Sequence, residues 1–355
     1  MKAASNLLFL TLLFAVFSSC TKKTTVNPTK VGDTVVNPYA TAHVYVVGSG
    51  PAPTGLGATC WVDGIPQYLS DNTPQSIANA IVIQGSDVYE AGWTNALYGA
   101  DIAAYWKNGV ETQLTSGGKV SQANGIAVSG NDIYVAGVVY NTNGLHQAVY
   151  WKNGVMTALT DSNTVARAFA IAVSGQDVYI AGYIDNSAVY WKNGVSYTLS
   201  PDPSMDPSLY SAIANSITII GSDLYFAGSI ATYSTIGIVS WKNGVATQYH
   251  DGTICAISQT AGAMFTNGQD VYLAGYTKDP KTLKAIATYW KNGVEKKITD
   301  GTTNAEADAI TANGSDVYIS GLLNGNATLW KNGAPVQLNN TSSPTATTGI
   351  IVVPK

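Results

Sequence analysis

Ala148-Val-Tyr-Trp-Lys-Asn-Gly-Val155 is one copy of a string that recurs along the chain. Its core, Trp-Lys-Asn-Gly, starts at Trp106, Trp151, Trp191, Trp241, Trp290 and Trp330, and a degenerate copy, Trp61-Val-Asp-Gly64, precedes them. Successive tryptophans lie 45, 45, 40, 50, 49 and 40 residues apart. That period belongs to a four-stranded propeller blade. Asn-Gly between two alternating apolar runs marks a tight hairpin, because both turn positions need positive φ.

Outward from Trp151 the rest of the unit follows. Ile126-Ala-Val-Ser129 reads as a first strand, and Gly130-Asn-Asp132 as a turn. Ile133-Tyr-Val-Ala136 is a second strand, and a variable loop follows Gly137. The third strand is Ala148–Trp151, and Val155–Leu159 makes the fourth. An aspartate precedes each second strand (Asp87, Asp132, Asp177, Asp223, Asp270, Asp316), placed for its carboxylate to accept nearby backbone N–H groups. Unit 1 starts at its second strand, His43–Gly48, and lacks a first. The chain ends in Thr347-Thr-Gly-Ile-Ile-Val-Val353, whose Gly349-Ile350 matches Gly125-Ile126. The expectation is an all-β, seven-bladed propeller over residues 42–355, closed when the C-terminal strand completes blade 1 and removes an open sheet edge.

Composition agrees with that architecture. Hydrophobic residues make up 46% of the 355 and charged residues 11%, with 35 glycines and 21 tyrosines. This suits short strands and tight turns better than helices or disorder. Net charge is −4 and the only arginine is Arg167. Nucleic-acid binding is excluded, because it needs clustered cations to displace counterions from phosphates. No cofactor is implied, and a monomer is expected.

The start has three parts: Lys2, the apolar run Leu7–Phe17, then Ser18, Ser19 and Cys20. The run is short for a membrane span and fits a signal-peptide core. It resembles a bacterial lipoprotein signal, which implies removal of residues 1–19 and lipidation of Cys20, with palmitate among its acyl chains, as an outer-membrane anchor. Residues 20–41, polar with two prolines, read as a flexible tether. Lys22 and Lys23 follow the cysteine without an acidic run like those of surface-export signals, which slightly favours the periplasmic side. Cys60 and Cys255 fall in blades that are not neighbours and read as two small buried hydrophobes, not a disulfide.

The unit as a whole resembles the β-propeller repeats of bacterial extracellular and periplasmic lipoproteins. His146-Gln-Ala-Val-Tyr-Trp-Lys-Asn-Gly-Val-Met-Thr-Ala-Leu159 also looks like the extracellular repeat named for its His-Ala-Phe sequence. The likeness covers nearly everything from Ala42 onward and implies architecture and an envelope location; the function of such repeats is broad, so it implies no chemistry.

Internal repetition separates scaffold from site. The repeated Tyr (Tyr45, Tyr89, Tyr134, Tyr179, Tyr225, Tyr272, Tyr318) and Trp pack between blades, and the lysine beside each Asn-Gly turn reads as solvated. Positions that differ between blades, yet recur in equivalent places, are the candidates. One set lies two residues before the first-strand isoleucine, or before Met264 in blade 6: Asn79, Asn124, Phe169, Asn215, Gly262, Asp308 and Thr348. These are expected to ring the channel mouth, with a fixed backbone and side chains free to specialise. A second set follows the second-strand glycine: Trp93, Tyr183 and Tyr276, with Tyr98, Asp101, His146 and Asp185 further along. Aromatic faces beside amides and carboxylates suit a sugar or peptide.

Three further features stand apart. Glu90 occupies a slot that is apolar in other blades, so it reads as a raised-pKa carboxyl or as a residue near an exposed end. Arg167 has a planar fork suited to a carboxylate. His43, His146 and His250 lie outside any metal-ligand spacing, and Pro201–Pro207 is a poor calcium loop. The sequence carries no nucleophile elbow, paired-histidine zinc motif or phosphate-cradling loop. The expected function is non-catalytic binding or scaffolding of a glycan, peptide or envelope protein on the loop face, with Asn79, Trp93, Asn124, Arg167, Tyr183, Asn215, Tyr276 and Asp308 as the ligand-binding set. The alternatives are a propeller lyase or glycosidase, drawing on Asp101, Asp185 and Asp308 with His146 or Arg167, and a purely structural envelope component.

Overall fold

The computed structural model describes residues 37–52, 55–70, 75–95, 100–115, 120–199, 211–231, 236–249, 255–257, 263–338 and 345–355. Cys20, the signal-like start, Tyr98, His250, Gly262 and the 201–207 loop lie outside them. The described residues form seven antiparallel sheets and no helix, with strands in chain order except in blade 1, where the C-terminal strand comes first. In blade 3 the strands are Ser121–Ser129, Asp132–Tyr140, His146–Lys152 and Val155–Ala158. Blade 4 repeats them as Ala166–Ser174, Asp177–Ile184, Ser187–Lys192 and Val195–Thr198. Both first strands start several residues earlier than their apolar alternation indicates, because the ladder continues through the small residues before the isoleucine.

Ring closure follows the expected route. Ala346–Pro354 pairs antiparallel with Ala42–Ala52, setting Ile350 against Val46 as Ile126 stands against Val135. First strands touch first strands all the way round, from blade 1 to blade 7 and back to the C-terminal strand. They enclose a central cavity of about 150 Å³ lined by Ala80, Ile81, Gly125, Ile126, Ala170, Ile171, Ile217, Gly349 and Ile350. Residues before Ala42 join the body as well: Tyr39 packs on the blade 7–blade 1 core, and Lys355 Nζ donates to its carbonyl (2.7 Å). In blade 6 the described first-strand residues are Cys255–Ile257 and Met264–Thr266, both paired with the second strand.

All seven repeated tryptophans are at most 1% exposed, and the clusters they anchor span neighbouring blades. Aromatic side chains thus weld sheet to sheet, where burial is worth most. On the turn face a polar tie repeats in blades 2 to 7. Asp132 accepts from Lys152 Nζ (2.7 Å) and Asn153 Nδ2 (2.8 Å), Asn153 Oδ1 accepts the Ile133 N–H (2.9 Å), and the lysine lies over the Tyr134 ring. Two expectations are corrected here. The lysine is paired as well as solvated, and the backbone N–H goes to the asparagine rather than to the aspartate, whose oxygens the side chains occupy. Blade 1 keeps the tie with its groups exchanged: Asp63 stands at the asparagine position, accepting the Val44 N–H, and His43 stands at the aspartate position, 2.8 Å from Asp63.

Unit lengths follow from the loop face. The two 40-residue spacings belong to blades 4 and 7, whose second and third strands are joined by the two-residue turns Asp185-Asn186 and Asn324-Gly325. Asp185 and Asn324 take φ of 53° and 52°, the left-handed region that tight turns require.

Candidate functional site at the seam of blades 3 and 4

The first strands of blades 1 to 5 and 7 each carry a β-bulge at the mouth position. The register skips Asn79, Asn124, Phe169, Asn215, Asp308 and Thr348. A bulge leaves the extra residue unpaired with its own sheet and turns its side chain toward the neighbour. Asn79 Nδ2 donates to Ala123 O (2.8 Å) and Asn124 Nδ2 donates to Ala168 O (2.8 Å), each in the next blade. Thr348 Oγ1 donates to Ala78 O, and Thr347 Oγ1 donates to Asp308 Oδ2 (2.9 Å). Asn215 is fully buried. Asn79, Asn124, Thr348 and the Thr347–Asp308 pair clamp blade to blade, so the freedom of the mouth positions to specialise is smaller than the sequence pattern indicates.

Phe169 breaks the series, since a phenyl ring has no donor for a neighbouring carbonyl. Around it other groups gather. The Arg167 guanidinium lies 5.7 Å from the Phe169 ring centroid, and the Tyr183 ring stands 5.9 Å from that of Phe169. Arg167 and Tyr183 face each other across the first and second strands of blade 4. From blade 3, Tyr140 accepts a hydrogen bond from Arg167 Nη2 (2.7 Å). Tyr140 is paired in turn with His146, ring edge to ring face at 4.6 Å, and His146 Nδ1 lies 3.5 Å from the Tyr183 hydroxyl. The site is thus a ring of five side chains across one seam.

Local sequence explains how these groups are held. Tyr140 and His146 flank a five-residue turn in which Asn141 Oδ1 accepts the N–H groups of Asn143 and Leu145 (both 2.9 Å), while Asn141 Nδ2 donates to Ser162 O. On the blade 4 side the two-residue turn at Asp185 is short, so little chain stands over Tyr183. Burial and the Arg167 charge hold His146 below the usual imidazole range, and burial pushes the Tyr183 hydroxyl up. Arg167 is half-buried with its Nε enclosed and unpartnered, and among the described residues no carboxylate pairs with it.

Of the residues singled out from sequence, Arg167 and Tyr183 come together, with Phe169 and His146. Trp93 is placed in blade 2, opposite Ile77 and Ala103, and Tyr276 in blade 6. Asp101 accepts from Gln122 Nε2 (2.8 Å) in blade 2, Asp185 is exposed at its turn in blade 4, and Asp308 is bound in blade 7. Among the described residues no group of three or more His, Cys, Asp or Glu is placed to hold a metal. Sequence reasoning missed Tyr140; its signal is position, as the last residue of a second strand with a histidine facing it across the hairpin. Glu90 is 2% exposed, so it does not sit near an open end. Burial pushes its carboxyl up to about 7, with the Cys60 thiol as its side-chain partner. Cys60 is buried and free.

No protein-family model matches the sequence, and no curated protein is similar to it. Solved structures do match. TolB from Acinetobacter baumannii is 12% identical with a TM-score of 0.44, covering 88% of this chain and 83% of its own. The periplasmic gluconolactonase of Pseudomonas aeruginosa is 9% identical with a TM-score of 0.47, covering 88% and 99%. A puromycin-hydrolysing peptidase of Mycobacterium tuberculosis is 12% identical with a TM-score of 0.44 over 62% of this chain, which spans only 39% of the peptidase. The chain's own seven sheets define its class, a β-propeller. Likeness at this level carries neither the activity nor the partners of those proteins to this one.

Proposed function

We propose that this propeller is a non-catalytic binding module of the bacterial cell envelope, presenting a site for a glycan, peptide or envelope protein on its loop face. The observation that carries the reading is the seam of blades 3 and 4. There a clamp position has gone over to Phe169, and the only arginine sits among aromatic rings with unspent donors. A site differs from scaffold in this way: its groups are held but not consumed. The envelope location rests on the signal-like start and Cys20, and the repeat resembles those of envelope lipoproteins. Among the described residues no helix is long and apolar enough to cross a membrane. The acids that a lyase or glycosidase would draw on stand in blades 2, 4 and 7, which gives the enzyme reading no local support.

The test is a screen of glycans, peptides and solubilised envelope proteins against the full chain carrying Cys20→Ser. A hit should lose at least tenfold in affinity in Tyr183→Ala and little in Lys152→Ala on the opposite face. A hit with the reverse pattern would move the site to the turn face. Lipidation has its own check. The unaltered chain should fractionate with membranes at high salt and Cys20→Ser should not; membrane retention by the variant would contradict the anchor.

A further inference from the structure

Arg167 is placed like no other residue at its position. Its equivalents at the start of the other described first strands are Ile77, Gln122, Ile213, Glu306 and Ala346, all neutral or acidic. A cation here is therefore no requirement of the blade. Placing a guanidinium half in the protein costs desolvation, and an enclosed Nε without a partner adds to that cost. Scaffold cations in this molecule are offset: the tie lysines each meet an aspartate on the turn face. Among the described residues Arg167 has only a phenol oxygen and a ring face. The tyrosine bond fixes one Nη and leaves the remaining N–H donors in a plane.

We propose that the seam of blades 3 and 4 binds the carboxylate of its ligand, with Arg167 as the fork that grips it and Phe169, Tyr183 and Tyr140 as the walls that seat the adjoining ring or chain. Arginine matches two carboxylate oxygens with two parallel N–H bonds, and exclusion of water by aromatic walls strengthens them. His146 faces the same groups (Tyr140, Tyr183 and Arg167), and burial and the guanidinium both disfavour its protonation, so it adds a hydrogen-bonding group to the site. This inference rests on the loop-face binding reading and narrows it to a chemical class. An acidic sugar and a peptide C-terminus both supply that class.

The experiment titrates the full chain carrying Cys20→Ser with two pairs of probes, followed by NMR and calorimetry. One pair is D-glucuronate and its neutral methyl ester; the other is N-acetylphenylalanine and its amide. At least one acid should bind tenfold or more tighter than its neutral partner, and the stronger pair identifies the source of the carboxylate. Arg167→Gln should remove that preference while leaving the melting temperature unchanged, since Gln122 fills the equivalent place in blade 3. Arg167→Lys should restore only part of it, because an ammonium lacks the fork. Bound acid should also raise the His146 pKa in the unaltered protein. Equal binding of acid and neutral probes, mapped to Tyr183, would overturn the carboxylate inference and leave the binding module standing. Binding of the acids undiminished in Arg167→Gln would overturn the role of Arg167. No binding of either acid overturns the inference as well, and loss of the binding module itself would show separately, as no loop-face ligand in the wider screen.

Discussion

Asn124 shows how one residue serves the ring. Its amide spans from the bulge of blade 3 to the Ala168 carbonyl beside the bulge of blade 4, so removing it leaves that carbonyl without its donor. Asn124→Ala should therefore cost about 1–2 kcal/mol of stability, read from urea denaturation, and the same change at Asn79 should cost as much. An unchanged midpoint would mean that water replaces the amide. From sequence, the place of Asn124 was readable and its task was not. A polar residue between small neighbours looks alike whether it faces solvent or a neighbouring backbone, and only the bulge separates the two. Glu90 makes the second residue-scale test. Its folded carboxyl is raised to about 7 from 4.5, so the native state holds a proton that the unfolded chain releases between those values. The stability this contributes is full below about 4.5 and is lost as pH rises through 7, a change on the order of 3 kcal/mol. Glu90→Gln should flatten that profile between about pH 4.5 and 7; a variant with an undiminished slope would place the titrating group elsewhere.

At the scale of the element, the bulge and the second-strand glycine are one device. Skipping a residue at Asn124 brings the Gln122 carbonyl against Gly137, where a Cβ would stand well inside contact distance of that oxygen and also meet the Trp151 ring. The same crowding recurs at Gly92, Gly182, Gly228 and Gly321, which explains why glycine repeats in strands that otherwise prefer side chains. Gly137→Ala should lower stability by about 1–3 kcal/mol, measured by denaturant unfolding, with the damage centred on the blade 3 bulge. A neutral effect would show that the first strand shifts freely. The hairpins themselves were legible because Asn-Gly and the alternation around it are local signals. Strand starts were less so, since Ser121–Gly125 is small and polar and carries no apolar alternation.

For the whole molecule, the arithmetic of strands was enough to foresee closure, because a missing strand at one end and a spare one at the other are both written in the repeat. Deleting Gly349 onward should bare the second strand of blade 1 along Ala42–Val47 and lower the melting temperature or bring on aggregation. Melting and solubility like those of the full chain would mean that the ring holds without its last strand. The site was legible only in part. Arg167, Tyr183 and His146 stood out as residues that differ between blades, but their meeting depends on which blades are neighbours and on the short turn at Asp185. Trp93 and Tyr276 carried the same signal and stand elsewhere on the ring. The central claim is a closed scaffold with its ligand seated at one seam, and hydrogen exchange on the full chain tests it most directly. With whichever of D-glucuronate and N-acetylphenylalanine binds, at saturation, exchange should slow only over Tyr140–His146 and Ala166–Ile184, with the Asn-Gly turns of all blades unchanged; protection that centres on those turns, or that spreads evenly over the seven blades, would contradict the seam site.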